Sequence, residues 1–182
     1  MISRLITISA LLTALTTTWA TSAAAGRPHS LSVPGGRLTV TQRGTSTVLA
    51  YAARRRSRRV VLPAEEGVYA EALDGASLLG AVPGRVLILS TTYASRPHGP
   101  MHMCGAGTET VIRVVALRPT LRQAFTERVE SCWTSIESGR IEWNALARTL
   151  LVEEYGGSVD GRAVKVFAVQ DDGTVRLQST SN

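Results

Sequence analysis

Histidine, methionine and cysteine side chains are concentrated in residues 98–104, which read His-Gly-Pro-Met-His-Met-Cys. Imidazole and thioether groups together favour copper, because soft sulfur donors select Cu(I) over harder ions. Ligation by His98, His102 and Met103 requires the chain to turn back at Pro100, since alternate side chains of an extended segment point to opposite sides. The simpler interpretation is a proline-bent loop with gap-filling methionines and solvated histidines, and the alternative is a copper site.

A run of arginines lies between two predicted strands, at the expected end of a hairpin. Guanidinium groups bind phosphate and carboxylate through paired hydrogen bonds, so the run predicts a site for an anionic envelope component or for an exported protein. Nucleic acid is disfavoured as a partner, because no aromatic residues interleave for base stacking. The alternative is a solvated loop tip, partly neutralised by Glu65 and Glu66. The arginines of the run are Arg54, Arg55, Arg56, Arg58 and Arg59.

The chain contains two cysteines, Cys104 and Cys132. In an exported protein, two cysteines indicate one disulfide bond. Closing this loop stabilises a fold by roughly 3.5 kcal/mol in the chain-entropy treatment. The glycines at 105 and 107 are then expected to let the backbone pass the disulfide or form a bulge.

Catalytic motifs are missing from the sequence: it has no GxSxG, HExxH or SxxK pattern. The adjacent acid pairs, such as Glu153-Glu154, would face opposite ways on a strand and could not act together. An envelope hydrolase stays open only as an alternative, in which carboxylates or histidines meet in the folded chain. The sequence favours binding over catalysis.

The first residues resemble a targeting segment in their order of charge and hydropathy. Arg4 precedes the apolar stretch Leu5–Leu15, and Ala23, Ala24 and Ala25 supply small residues for cleavage. The pattern predicts a signal peptide over residues 1–25 and a periplasmic or secreted protein. The apolar stretch is shorter than the roughly 18 residues that a membrane-spanning helix needs, so we interpret it as a removed targeting peptide. No transmembrane segment is expected after signal removal.

Composition agrees with a globular protein. The chain has 182 residues, of which 44% are hydrophobic, and a formal net charge of +6. Residues 26–182 have the length of one ordinary domain. The positive charge favours anionic partners without specifying one.

Short apolar runs rich in valine, leucine and threonine recur between glycine, proline and asparagine, which is typical of an all-β domain. We predict a single-domain antiparallel sandwich or barrel-like fold with one disulfide and at most one short helix. Residues 85–92 are apolar on both faces and predict a central strand that is covered on both sides. Turns are expected at Gly35-Gly36, Asp74-Gly75, Pro83-Gly84, Asp160-Gly161 and Asp171-Asp172-Gly173. The predicted strands are residues 38–41, 47–52, 59–62, 85–92, 110–117, 163–169 and 175–178.

Two segments, residues 120–133 and 141–155, have apolar spacing that also fits helices. In the first, Leu121, Phe125 and Val129 would share one helical face. In the second, the alternative is a hairpin that turns at residues 144–147. We expect hairpins in both, for consistency with the surrounding strands.

Together these observations predict an exported β protein that acts as a binding or inhibitor module. The alternatives are a periplasmic copper-binding protein and an envelope hydrolase.

Overall fold

The computed structural model describes residues 27–97, 104, 107–156 and 161–181. The predicted signal peptide, residues 1–25, lies outside the described residues. The described residues form antiparallel strands and contain no helix long and apolar enough to cross a membrane. The strands are β1 His29–Val33, β2 Gly36–Arg43, β3 Ser46–Ala53, β4 Arg56–Ala64, β5 Val68–Val82, β6 Val86–Ser95, β7 Thr108–Ala116, β8 Arg122–Ser131, β9 Ile136–Asn144, β10 Thr149–Gly156, β11 Arg162–Val169 and β12 Val175–Ser181.

The strands make two antiparallel sheets in which spatial order follows chain order. Strands β1 to β4 form a four-stranded sheet, and β5 to β12 form an eight-stranded sheet. Within the larger sheet, β8 and β9 are joined only by the pair Ser131 and Ile136, whereas the other neighbours pair over most of their length. Strands β9 to β12 can therefore turn back over the first half of the sheet.

Strand β6 lies between two hydrophobic clusters, because its alternate side chains enter opposite cores. Leu87 and Leu89 pack in a cluster with residues of the four-stranded sheet. Val86 and Ile88 pack in a second cluster with residues of β10 and β11. The prediction of a central strand covered on both faces is confirmed, and the all-β class with it.

Buried polar side chains connect the two sheets. Gln42 on β2 is fully buried; its amide donates to the Tyr69 carbonyl at 2.9 Å and accepts from the Leu73 amide at 2.7 Å. Thr47 on β3 and Tyr93 on β6 share a hydrogen bond of 2.6 Å between their hydroxyls. These bonds fix the relative position of the sheets, which apolar packing alone leaves less specific.

The helical alternative is wrong for both doubtful segments. The expected hairpin forms in the second, since residues 141–155 belong to the β9–β10 hairpin, but the expectation is wrong for the first, where residues 122–131 form the single strand β8 that pairs with β7. Asn144 explains the second turn: its side-chain oxygen accepts from the amides of Leu146 at 3.0 Å and Ala147 at 2.9 Å. This local bond favours a turn over a helix. Leu146 is 99% exposed, whereas an amphipathic helix would bury it.

The turn predicted at Asp74-Gly75 is wrong, since both residues lie inside β5. The pairing of β5 with β6 shifts register between Leu73 and Gly75. A bulge of this kind accommodates turn-favouring residues without ending the strand. The turns at Pro83-Gly84 and residues 171–173 lie between strands as predicted, whereas at Gly35-Gly36 only Gly35 lies in the turn and Gly36 begins β2. The turn predicted at Asp160-Gly161 includes Asp160, which lies outside the described residues.

Candidate functional site

A cleft of about 760 Å³ opens at one end of the molecule, where turns from both sheets meet. The four-stranded sheet contributes the β1–β2 turn and the tip of the β3–β4 hairpin. The eight-stranded sheet contributes the β5–β6 turn and the β7–β8 connection. We call this site the arginine cleft. Its described lining residues are Gly35, Tyr51, Ala53, Arg54, Arg55, Arg56, Arg58, Gly84, Leu117 and Arg118.

The lining of the arginine cleft is basic. It includes five arginines, and no acidic side chain is among its described lining residues. Arg54, Arg55 and Arg56 are exposed, and within the described part of the chain no hydrogen bond or ion pair involves their guanidinium groups. A cluster of unpaired positive charge raises the local concentration of anions.

The expected neutralisation by Glu65 does not occur at the cleft. Glu65 follows the far end of β4, and its carboxylate pairs with Arg113 at 2.8 Å. Glu65 is nine positions beyond Arg56 at the hairpin tip, a span of about 30 Å in an extended chain. The charge of the hairpin arginines is therefore left for a ligand.

The arginines of the predicted run divide into three groups. Arg54, Arg55 and Arg56 occupy the hairpin tip and present free donors. Arg58 is half-buried and donates to backbone carbonyls of the β7–β8 connection. Arg59 is exposed on the opposite face of β4 and is not among the described lining residues. The structure thus brings together all of the predicted run except Arg59.

Two residues of the cleft were missed by the sequence analysis. Arg118 enters from the β7–β8 connection, far from the arginine run in sequence. Tyr51 is 8% exposed, and a Cβ built at Gly35 would lie 3.5 Å from its hydroxyl. Pro119, which follows Arg118, is a signal that the chain leaves the strand there. The order of the strands in the two sheets determines which turns meet at the cleft. A local sequence pattern does not reveal that order.

Arg54 adopts a backbone conformation that suits glycine better. Its φ is 52°, and it begins the two-residue connection between the paired residues Ala53 and Arg56. Left-handed backbone costs a non-glycine residue about 1–2 kcal/mol, and strain of this kind is often kept at functional sites.

Replacing Arg54 with glycine should therefore separate stability from binding. We expect Arg54→Gly to raise the free energy of unfolding by about 0.5–1 kcal/mol, after allowing for the greater freedom of glycine in the unfolded chain. The same change should weaken anion binding about fivefold, because one charged donor is lost. Urea unfolding and calorimetric titration measure the two effects. A destabilised variant would show that the turn carries no relievable strain.

The three predicted copper ligands lie outside the described residues. His98, His102 and Met103 all belong to residues 98–103, which the structure does not describe. In the ranges that it does describe, no three histidine, cysteine or acidic side chains are grouped to hold a metal ion. The copper site stays a prediction from sequence.

The two cysteines form the predicted disulfide, with a Cα–Cα distance of 5.4 Å. A Cβ built at Gly107 would lie 2.8 Å from the sulfur of Cys132. Glycine is therefore needed where the start of β7 passes the disulfide, as the sequence predicted.

A second cleft, of about 610 Å³, lies near the disulfide and contains charges of both signs, from Asp74 and Arg96. Ser95 lines it and donates to the buried carboxylate of Glu109 at 2.7 Å. The same carboxylate oxygen accepts from the Trp133 amide at 3.0 Å. These bonds use Oε1 of Glu109 to join β6, β7 and the β8–β9 turn. Its Oε2 is buried without a hydrogen-bond partner among the described residues and lies 3.9 Å from Nη1 of Arg128.

The shifted pKa values belong to groups outside both clefts. A hydrogen bond from Tyr155 lowers the pKa of Glu153 and raises that of the tyrosine. Burial disfavours charged Lys165, but bonds to Glu127 and Glu154 prevail and raise its pKa. None of these side chains is among the described lining residues of either cleft. The envelope hydrolase stays a prediction from sequence.

Comparison of the chain with protein families, curated proteins and solved structures found no match. The functional interpretation consequently rests on the arginine cleft.

Proposed function

We propose that this protein is an exported binding module whose arginine cleft holds an anionic envelope component, specifically the phosphorylated headgroup of a glycolipid. One observation carries the proposal: five arginines line a single cleft that has no acid among its described lining residues. The disulfide supports a location outside the reducing cytoplasm, where such bonds persist.

The size of the cleft favours an organic ligand over a simple ion. A volume of about 760 Å³ lies within the usual range for sites that hold small molecules. Phosphate groups match the paired donors of arginine, and Tyr51 adds a hydroxyl and a ring beside them. The combination suits a ligand with more than one phosphate on a sugar frame.

An exported protein partner is the competing ligand for the same charges. Stable protein interfaces bury about 800 Å² on each partner and depend on apolar or aromatic anchors at their centre. The cleft is concave and its rim is made of arginines, so we favour the phosphorylated headgroup. Arg59, on the outer face of the edge strand β4, fits a different role, because charged residues on edge strands discourage sheet-to-sheet pairing.

Titration calorimetry with a bis-phosphorylated disaccharide, the soluble headgroup of lipid A, tests the proposal. The variant Arg54→Ser/Arg55→Ser/Arg56→Ser should bind about 150-fold more weakly than the wild type, since each of the three charged hydrogen bonds contributes about 1 kcal/mol. This decrease in affinity should exceed the decrease caused by removing the same net charge elsewhere on the protein.

The matched control removes the same charge from the outer face of the four-stranded sheet. Arg37, Arg43 and Arg59 are exposed there, so their triple serine variant should change the affinity less than threefold. Equal losses in the two triple variants would reduce the effect to net charge and overturn a specific cleft. Tighter binding of an acidic peptide than of the disaccharide would replace the headgroup with a protein partner.

A further inference from the structure

Arg58 differs from the other cleft arginines in where its donors go. Its Nη1 atom donates to the carbonyl of Leu117 at 2.6 Å and to that of Pro119 at 3.3 Å. These carbonyls belong to the residues on either side of Arg118. The hydrogen bonds join the edge strand of the four-stranded sheet to the β7–β8 connection of the other sheet.

Arg118 lies next to this contact in the chain. Its backbone is bracketed by the two carbonyls that Arg58 holds, and its side chain lines the arginine cleft. The turn is also tied to the β5–β6 turn, where the Leu117 amide donates to the Arg85 carbonyl at 2.7 Å. Among the described side-chain hydrogen bonds, only those of Arg58 link the β7–β8 connection to β4, the strand that carries Arg56.

We propose that Arg58 is a positioning residue, which holds Arg118 across the cleft from the hairpin arginines and does not itself grip the ligand. The proposal rests on the proposed function of the cleft. Both described hydrogen bonds of Arg58 come from Nη1 and go to backbone carbonyls, and its charge adds to the positive field of the cleft.

A double-mutant cycle tests this role, with the bis-phosphorylated disaccharide as the probe and the full chain as the protein. We expect Arg118→Ser and Arg58→Ser each to weaken binding about five- to tenfold. Because Arg58 acts through Arg118, the affinity of the double variant for the disaccharide should be no more than about twofold below that of whichever single variant binds it less tightly. Arg59→Ser, a charge-matched change on the same strand, should alter the affinity less than twofold.

Losses that multiply in the double variant would show that Arg58 contacts the ligand itself and would overturn the proposal, while leaving the cleft as the binding site. An Arg118→Ser variant that binds like the wild type would also overturn it. Absence of binding by the wild type would instead remove the proposed function and this role together. Should Arg58→Ser fail to fold, judged by circular dichroism, Arg58→Met replaces it in the cycle, since methionine keeps an unbranched apolar stem for packing and has no donor for the two carbonyls.

Discussion

Replacing Arg113 with methionine should lower the free energy of unfolding by about 3–5 kcal/mol, the range seen when one partner of a buried ion pair is removed. Arg113 is fully buried on β7, and its guanidinium pairs with Glu65 at 2.8 Å. It also donates to the Thr91 hydroxyl at 3.0 Å and to the Gln123 side-chain oxygen at 2.6 Å. Methionine would leave all of these acceptors without their donor.

The effect should spread to the interface between the sheets. Arg113 donates to the Tyr93 hydroxyl at 3.0 Å, and that hydroxyl bonds Thr47 of the four-stranded sheet at 2.6 Å. Loss of the arginine therefore weakens a chain of polar contacts that joins one sheet to the other. Urea unfolding of the full chain measures the change.

Two further variants distinguish the buried pair from a general effect of removing charge. Arg85→Met breaks an exposed ion pair of 3.7 Å with Asp171 and should cost less than about 1 kcal/mol. Adding Glu65→Leu to Arg113→Met removes the stranded carboxylate and should restore about half of the lost stability. A cost below about 1 kcal/mol for Arg113→Met alone would contradict a structural role for the network.

Removing the disulfide should lower stability by a comparable amount. Cys104 and Cys132 are separated by 28 positions, so their bond closes a loop whose entropy in the unfolded chain is worth about 3.5 kcal/mol. We expect Cys104→Ala/Cys132→Ala to lose about this much in urea unfolding, with retention of β-sheet circular dichroism. Cys104 precedes β7 and Cys132 directly follows β8. These two strands already pair along most of their length.

A reducing agent provides the internal control. The wild type should lose about the same 3.5 kcal/mol when reduced, whereas the double alanine variant should be unaffected by the reductant. A wild type whose stability is unchanged on reduction would mean that the disulfide contributes nothing measurable to the fold.

Much of the fold could be predicted because its strands carry strong local signals. Residues 86–89 are apolar without interruption, and this pattern is typical of a strand buried on both faces. Residues 120–133 were harder, since Leu121, Phe125 and Val129 have the spacing of a helix face. The segment forms a strand because it pairs with β7, and the sequence of the segment alone does not reveal that pairing.

The candidate site could be predicted only in its local part. The hairpin tip at Arg54, Arg55 and Arg56 follows from a charged run between two β-rich segments. Arg118 could not be found in this way, because it meets the hairpin only after two sheets pack with their turns at one end. Arg58 and Arg59 must face opposite ways on a strand, but which of them faces the cleft depends on strand pairing, which places Arg58 opposite Tyr51 and Arg59 opposite Ala50.

Salt dependence of the calorimetric titration tests the arginine cleft most directly. If the phosphorylated headgroup is held by Arg54, Arg55, Arg56 and Arg118, its affinity for the wild type should fall steeply as salt rises, because ionic contacts are screened. The hairpin triple serine variant should then show a much shallower decline. Parallel declines in the wild type and the triple variant, with similar affinities at low salt, would contradict binding in the cleft.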